Sequence, residues 1–341
     1  MNYQFYLGID VGKYSFDYAL MDGEGGIPMQ GKVENNEIAI QGWIIELQQK
    51  FPLVNIWEQT LVCMEHSGYY NAIILKHLQT RKEHSIWVES ALQIKRSIGI
   101  QRGKNDKIDA LRIASYALDF QRKARLWKPK SKNIERLELL ISHRDRIVKN
   151  VMSIKNTLKE EIGFIDTKLH SEMEELSRPA IDILEETLAK FNQRIEEILT
   201  EDVELSEQAK IVTSIPGFGK VIASKIIIAT QGFTKITNPR SLACYAGIAP
   251  FEHRSGTSLK GKTRVSHLAN KDLKKMIHLA ALVTIRKGNI MHDYYNRKVA
   301  EGKNKMSVIN AIRNKLIHIL MACIKNNTTY QKNFNHSLAV T

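Results

Sequence analysis

The hydrophobic period of this chain changes at Pro129, so one uniform architecture cannot hold the whole sequence. Before Pro129, short β-forming runs alternate with amphipathic helical stretches. Residues 5–11, 15–20, 29–33, 60–64 and 85–88 read as strands, with Gly23, Gly25 and Gly26 as turn residues between the second and third. Residues 38–50, 70–78, 92–98 and 106–120 read as helices. Three strands, a helix, then alternating strand and helix specify a mixed sheet with helices on its faces.

After Pro129 the apolar positions follow heptads. Ile134, Leu137, Ile141, Val148, Val151, Leu158 and Ile162 fall on alternating three- and four-residue steps, with Arg144 and Lys155 filling two gaps. Gly163 closes this helix, and Ser177 and Pro179 suit the start of another. There Ile181, Leu184, Leu188, Phe191, Ile195 and Ile198 repeat the rhythm. The expectation is a helical hairpin or coiled coil with a loop at 163–176. A plain helix pair would explain the pattern too, but charges at seam positions favour a self-association seam, because such residues set register. From 205 onward the chain is mainly helical, with amphipathic helices at 270–287 and 304–326. Residues 237–266 lack periodicity and read as loop.

Length supports the same division, since 341 residues suit two or three domains at about 150 residues each. The boundaries read as 1–128, 129–204 and 205–341. The net charge of +14 is concentrated in the last of these, which carries 22 Lys and Arg against five Asp and Glu. That is steeper than solubility requires and points to a phosphate-bearing partner. Cys63, Cys244 and Cys323 form no C-x-x-C pair, which argues against zinc and a disulfide framework. The N-terminus lacks a signal-peptide pattern, and no run approaches the ~18 apolar residues of a membrane span. A soluble, cytoplasmic protein is expected.

Four acidic residues carry the first chemical signal. Asp10 lies in L-G-I-D-V-G-K at the end of the first strand, and Glu65 ends L-V-C-M-E-H in the same way. Asp106 and Asp109, three apart at a helix start, share one side of that helix. A carboxylate in an apolar strand is costly unless paired or metal-bound. Four carboxylates together would repel one another, and hard oxygen ligands suit Mg²⁺ or Mn²⁺. Taken singly, Asp106 reads as a helix cap and Asp10 equally well as a strand-end turn residue. The order strand Asp, strand Glu, helix Asp-x-x-Asp resembles the RNase H-like fold of RuvC-type nucleases. Arg102, Lys104 and Lys107 around the last pair suit a phosphate-approached site or an ordinary surface equally.

The second signal is S-I-P-G-F-G-K-V-I-A-S-K-I, residues 214–226, which looks like a helix-hairpin-helix module. Gly217 and Gly219 would let backbone N–H groups, with Lys220, approach a phosphate at the next helix's N-terminus. A ligand-free turn between helices fits the same residues. The third is Y-A-G-I-A-P-F-E-H-R-S-G-T-S-L-K-G-K, residues 245–262. Ser255 stands there among Arg254, Lys260, Lys262 and Arg264. Clustered cations can activate a hydroxyl and oppose phosphate charge. Thr257 and Ser258 compete with Ser255 on spacing.

In their order along the chain these motifs resemble the DEDD transposases of bacterial insertion sequences, the insertion-sequence one-ten family. The resemblance runs from L-G-I-D-V-G-K through C-M-E-H-S-G-Y-Y and N-D-K-I-D-A to S-I-P-G-F-G and the serine loop. It implies a RuvC-like N-terminal domain, a coiled-coil linker and a C-terminal transposase domain. It implies DEDD roles around Mg²⁺ for Asp10, Glu65, Asp106 and Asp109, and a covalent phosphoserine between Ser255 and DNA. It further implies dimers pairing into tetramers, and guidance by a structured bridge RNA that pairs with donor and target DNA. His253 and Arg254 precede the serine where family members often carry other residues, which leaves its activating groups open. Two rival readings are a RuvC-like nuclease such as a junction resolvase, using water as nucleophile, and a non-catalytic nucleic-acid-binding protein.

Overall fold

The computed structural model describes residues 3–80, 84–97, 99, 106–255, 259–265 and 268–332, with backbone alone at 252–255 and 259–264. It forms two compact units that divide after Pro129.

The first unit is built on a five-stranded sheet in the order β3-β2-β1-β4-β5. Its strands are β1 (Phe5–Val11), β2 (Ser15–Asp22), β3 (Met29–Glu34), β4 (Thr60–Glu65) and β5 (Ser85–Glu89). β1 and β3 pair antiparallel to β2, while β4 runs parallel to β1 and β5 parallel to β4. The helices are α1 (Glu37–Lys50), α2 (Ala72–Leu78), α3 (Ala91–Ser97) and α4 (Asp106–Phe120). This mixed α/β order is compatible with the RNase H-like expectation.

Alternation along the strands gives the sheet two different faces. Leu7, Ile9, Phe16, Leu20, Val62 and Met64 point to one face and share a core with Trp43 and Leu47 of α1 and Ile74 of α2. Asn36 fixes the start of α1 by accepting from the Ala39 amide, and Ile40, Trp43, Ile44 and Leu47 then recur on one side. Tyr6, Met21, Leu61, Cys63 and Trp87 point to the other face and pack on Ile113, Ala114, Tyr116 and Ala117 of α4.

The second unit starts with the hairpin of α5 (Lys132–Glu161) and α6 (Thr167–Glu201). Its loop is shorter than the sequence suggests. Asp166 caps α6 by accepting from the Lys168 and Leu169 amides, so the helix begins well before Ser177 and holds Pro179 inside it. The cap supplies a start signal eleven residues ahead of Ser177. The two seam charges are satisfied within the chain. Arg144 donates to Asn192 at 2.7 Å, and Lys155 pairs with Glu185 at 2.6 Å, in both cases across the hairpin.

Next come α7 (Val203–Ser214), α8 (Lys220–Thr230), α9 (Pro239–Tyr245), a two-stranded ribbon of β6 (Pro250–Ser255) and β7 (Leu259–Val265), α10 (Lys271–Thr284), α11 (His292–Ala300) and α12 (Lys305–Lys325). Most of the described residues of 237–266 therefore lie in α9, β6 and β7 rather than in loop. Asn238 caps α9 with Pro239 in its first turn, and polar residues along β6 and β7 hide the alternation that marks a strand. Ile134, Leu137 and Ile198 at the base of the hairpin share a core with Val212, Ile226, Ile277, Ile312 and Leu316. α12 is long and apolar enough to cross a membrane by composition, but Val308, Ile309, Ile312, Leu316, Ile317 and Leu320 are all buried in that core.

Candidate active site

Asp10 and Glu65 sit at the ends of neighbouring parallel strands. Ile9 pairs with Met64, so Asp10 and Glu65 occupy the next matched position. Asp10 also pairs with Asp17 across β1 and β2, and Glu65 with Glu89 across β4 and β5. Four acidic residues thus cross four strands at one level. They lie on the α4 side of the sheet, because Asp10 follows Tyr6 and Gly8 at two-residue steps, and Glu65 follows Leu61 and Cys63 likewise.

α4 brings the other two acids. A Cβ on Gly8 would lie 2.2 Å from the Ala110 carbonyl oxygen and from the Ala114 amide nitrogen. Only the missing side chain lets the helix backbone descend onto β1 there. The first turn of α4, with Asp106 and Asp109, is then set beside the C-terminal end of β1.

The electrostatics of Asp10 reflect these acidic neighbours. Burial, followed by the charges of Glu65, Asp109, Asp106 and Asp17, pushes the Asp10 carboxyl up to about 6. Asp109 is held by Arg112 at 2.7 Å, and Asp17 faces Lys32 at 3.7 Å. Among the described residues, no group of three or more His, Cys, Asp or Glu is close enough to form a ready metal cage. Carboxylate oxygens are the donor type that a hard divalent cation takes, but these side chains are spread too widely to enclose one as they stand.

Two buried asparagines hold the surrounding loops. Asn71, 3% exposed, donates to the Glu65 carbonyl at 2.9 Å and accepts from the Ser67 amide and hydroxyl at 2.6 Å each. Asn35 donates to both the Gly12 and Tyr70 carbonyls at 3.0 Å. Sequence reasoning missed Gly8, Asn35, Asn71 and Arg112. Gly8 left one trace, a glycine two residues before a strand-end aspartate, where packing rather than a turn requires it.

In the second unit, α7 and α8 flank a turn containing Gly217 and Gly219. Gly217 has φ +88°, and a Cβ there would lie 2.7 Å from the Ala280 carbonyl oxygen. Its lack of a side chain thus serves packing against α10. Gly219, the N-cap of α8 at φ −89°, has open space where a Cβ would stand. Lys220 forms an ion pair with Glu196 of α6.

Ser255 pairs with Leu259 as the last matched pair of the β6–β7 ribbon, which places it at the ribbon's tip. Arg254 pairs with Lys260, and Phe251 with Arg264, while Lys262 lies on β7 between them. Gly256, Thr257 and Ser258 lie outside the described residues, as do Arg102 and Lys104. The four carboxylates belong to the first unit and Ser255 to the second.

An acid-rich sheet end on an α/β unit, in a chain whose other unit is strongly basic, fits an enzyme that acts on DNA. A family model described as the transposase IS116/IS110/IS902 family matches residues 209–296, and a second transposase model, of DEDD enzymes, matches residues 7–162. The chain is 26% identical over 343 residues to a pilin gene-inverting protein of Moraxella bovis, covering 96% of this chain and 98% of the relative. The pilin gene-inverting protein of Moraxella lacunata is 25% identical over 340 residues, with coverage of 96% and 98%. An uncharacterized 43.6 kDa protein of insertion element IS110 from Streptomyces coelicolor is 29% identical over 121 residues, 36% of this chain and 30% of the relative. The chain belongs to the IS110 family of DEDD transposases and is a DNA transposase.

Proposed function

We propose that this transposase cuts and rejoins DNA through a covalent phosphoserine at Ser255, with Asp10, Glu65, Asp106 and Asp109 acting on the same scissile phosphate. The observation that carries this reading is the gathering of three further carboxylates on Asp10 at the end of the first sheet, in a chain whose other unit presents a serine at the tip of a ribbon rich in Arg and Lys. A divalent cation such as Mg²⁺ or Mn²⁺, held by the four carboxylates, would neutralise charge building on the phosphate oxygens. The Ser255 hydroxyl forms a new phosphoester bond as a deoxyribose hydroxyl departs, so the energy of the broken linkage is kept. Attack by another strand's hydroxyl on that ester rejoins DNA without ATP. Two relatives are named for inverting a pilin gene, which fits an enzyme that cuts and rejoins DNA.

In this reading, residues 1–128 serve as a RuvC-like domain, 129–204 as a coiled-coil linker and 205–341 as the transposase domain. Gly219 and the first turn of α8 belong to a helix-hairpin-helix that holds DNA backbone, and Lys220, Arg254, Lys260, Lys262 and Arg264 add positive charge. A dimer pairing into a tetramer brings serine and carboxylates to one strand, and a bridge RNA pairs with donor and target DNA to supply sequence specificity.

The test is a denaturation-resistant protein–DNA adduct. Wild-type protein with Mg²⁺ and element-end DNA forms it, and Ser255→Ala abolishes it while Thr257→Ala and Ser258→Ala retain it. Cleavage with no adduct would instead establish the resolvase-like reaction, with water as nucleophile. RNA copurifying with the full element, and lost without its non-coding end, tests the guide.

A further inference from the structure

Six Phe and Tyr rings are exposed among the described residues, and three of them stand on the loops that follow Asp10 and Glu65. Tyr14 comes four residues after Asp10, and Tyr69 four residues after Glu65, with Tyr70 beside it. They are 77%, 64% and 45% exposed, respectively. Folding gives no return for such rings in water, so burial does not explain them.

Their loops are nonetheless fixed. The Asn35 side chain ties the carbonyl of Gly12 to that of Tyr70, and the Asn35 amide donates to the Tyr14 carbonyl at 2.9 Å. The Asn71 side chain ties the turn at Ser67 back to Glu65. The two loops therefore form one braced rim directly beyond the acidic strand ends. Lys13 stands over the Tyr14 ring, its Nζ 4.8 Å from the centroid, and adds the only basic residue of the 12–14 loop.

We propose that Tyr14, Tyr69 and Tyr70 form a platform on which unpaired bases of the reacting DNA strand stack, presenting the adjoining phosphate to Asp10 and Glu65. Every base offers a π-face, so a braced tyrosine rim binds opened DNA without reading its sequence. Lys13 is placed to meet a phosphate of the same strand. A duplex keeps its base faces covered and gains nothing from such rings. The platform thus selects DNA opened at the site of strand exchange. It rests on the reading that these carboxylates act on a scissile phosphate.

The experiment uses the full-length protein in EDTA, where neither metal nor adduct chemistry contributes. The probe is a DNA duplex carrying 2-aminopurine in an unpaired bubble, compared with its fully paired counterpart. Wild-type protein should bind the bubble more tightly than the duplex and quench the fluorescence. Tyr14→Phe and Tyr69→Phe should retain both properties. The triple leucine variant of Tyr14, Tyr69 and Tyr70 should lose roughly 10-fold or more in bubble affinity with duplex affinity unchanged. Unchanged melting of that variant shows that it is folded, as expected for exposed side chains. Bubble binding equal to wild type, or equal losses for bubble and duplex, would overturn the proposal. Ser255→Ala must quench like wild type, so loss of the adduct and loss of the platform are separate results.

Discussion

The backbone of Ala110 in α4 rests on Gly8 of β1 with no room for a methyl group, 2.2 Å separating the Ala110 carbonyl oxygen from the place where a Cβ would stand. This contact sets the height of α4 above the sheet, and with it the reach of Asp106 and Asp109 toward Asp10. Both neighbours of that Cβ are backbone atoms, so a rotamer change cannot relieve the clash. Gly8→Ala should cost about 1–3 kcal/mol in stability, the usual range for overpacking, and should lower metal-dependent DNA cleavage further than the stability loss explains. Thermal melts and cleavage assays at a temperature where the variant is folded check both. A variant with full cleavage would show that α4 placement does not matter to the site.

Asp10 gives the site a pH signature. Its carboxyl is raised from 3.8 to about 6 by burial and by Glu65, Asp109, Asp106 and Asp17. The folded state therefore holds this proton more tightly than the unfolded chain does. The resulting stabilisation is fully present below about pH 4 and is lost as pH rises through about 6. In EDTA at pH 7, Asp10→Asn should melt at a higher temperature than wild type, and the gap should narrow at pH 5. Divalent cations compete with the same proton, so their affinity should fall as pH drops below about 6 in wild type. Melting curves of the two proteins in EDTA decide the first point, and an unstabilised Asp10→Asn at pH 7 refutes it.

The strands and helices of the first unit are legible because apolar residues form short unbroken runs, as in Phe5–Ile9, or recur at helical spacing, as in Ile40, Trp43, Ile44 and Leu47. Acids at strand ends stand out against such runs, which is how Asp10 and Glu65 are found. The closeness of α4 is not legible, because it depends on an absent side chain at Gly8. The start of α6 is misplaced because Ser177 and Pro179 imitate a helix start inside a continuous helix, while Asp166 does the capping. The β6–β7 ribbon is hidden because Arg254, Lys260, Lys262 and Arg264 interrupt any alternation. Spacing alone leaves Ser255 level with Thr257 and Ser258, and the family resemblance is what separates them.

Lys225 of α8 is 8% exposed, and its ammonium donates to Asp145 of α5 and Asp272 of α10 at 2.6 Å each. Three helices thus meet at one cation. Removing it leaves two carboxylates near each other, with Arg144 at 3.4 Å from Asp145 as partial compensation, and both retain some contact with water. Lys225→Met should therefore destabilise the protein by about 2–3 kcal/mol, below the range for a fully enclosed pair. Added salt should restore little of the loss, because a buried cation is poorly screened in the wild type. Urea denaturation at low and high salt measures both effects. A loss under about 0.5 kcal/mol would mean that the three helices are held by apolar packing alone.

Gly217 and Gly219 should separate folding from DNA binding. At Gly217, alanine meets both a φ of +88° and a carbonyl oxygen at 2.7 Å, so Gly217→Ala should lose at least about 2 kcal/mol and shift the turn against α10. At Gly219 the backbone conformation is ordinary and a methyl group meets nothing, so Gly219→Ala should stay within about 1 kcal/mol of wild type. Under the proposed helix-hairpin-helix reading, that open space is where a phosphate approaches the α8 amides. Gly219→Ala should then weaken binding to DNA of any sequence while its melting temperature barely moves. Binding isotherms over a salt series, taken beside melts of both variants, give the answer. If Gly219→Ala binds DNA as wild type does, the turn is a structural joint between α7 and α8, and the grip on the backbone must come from the lysines and arginines around the serine ribbon.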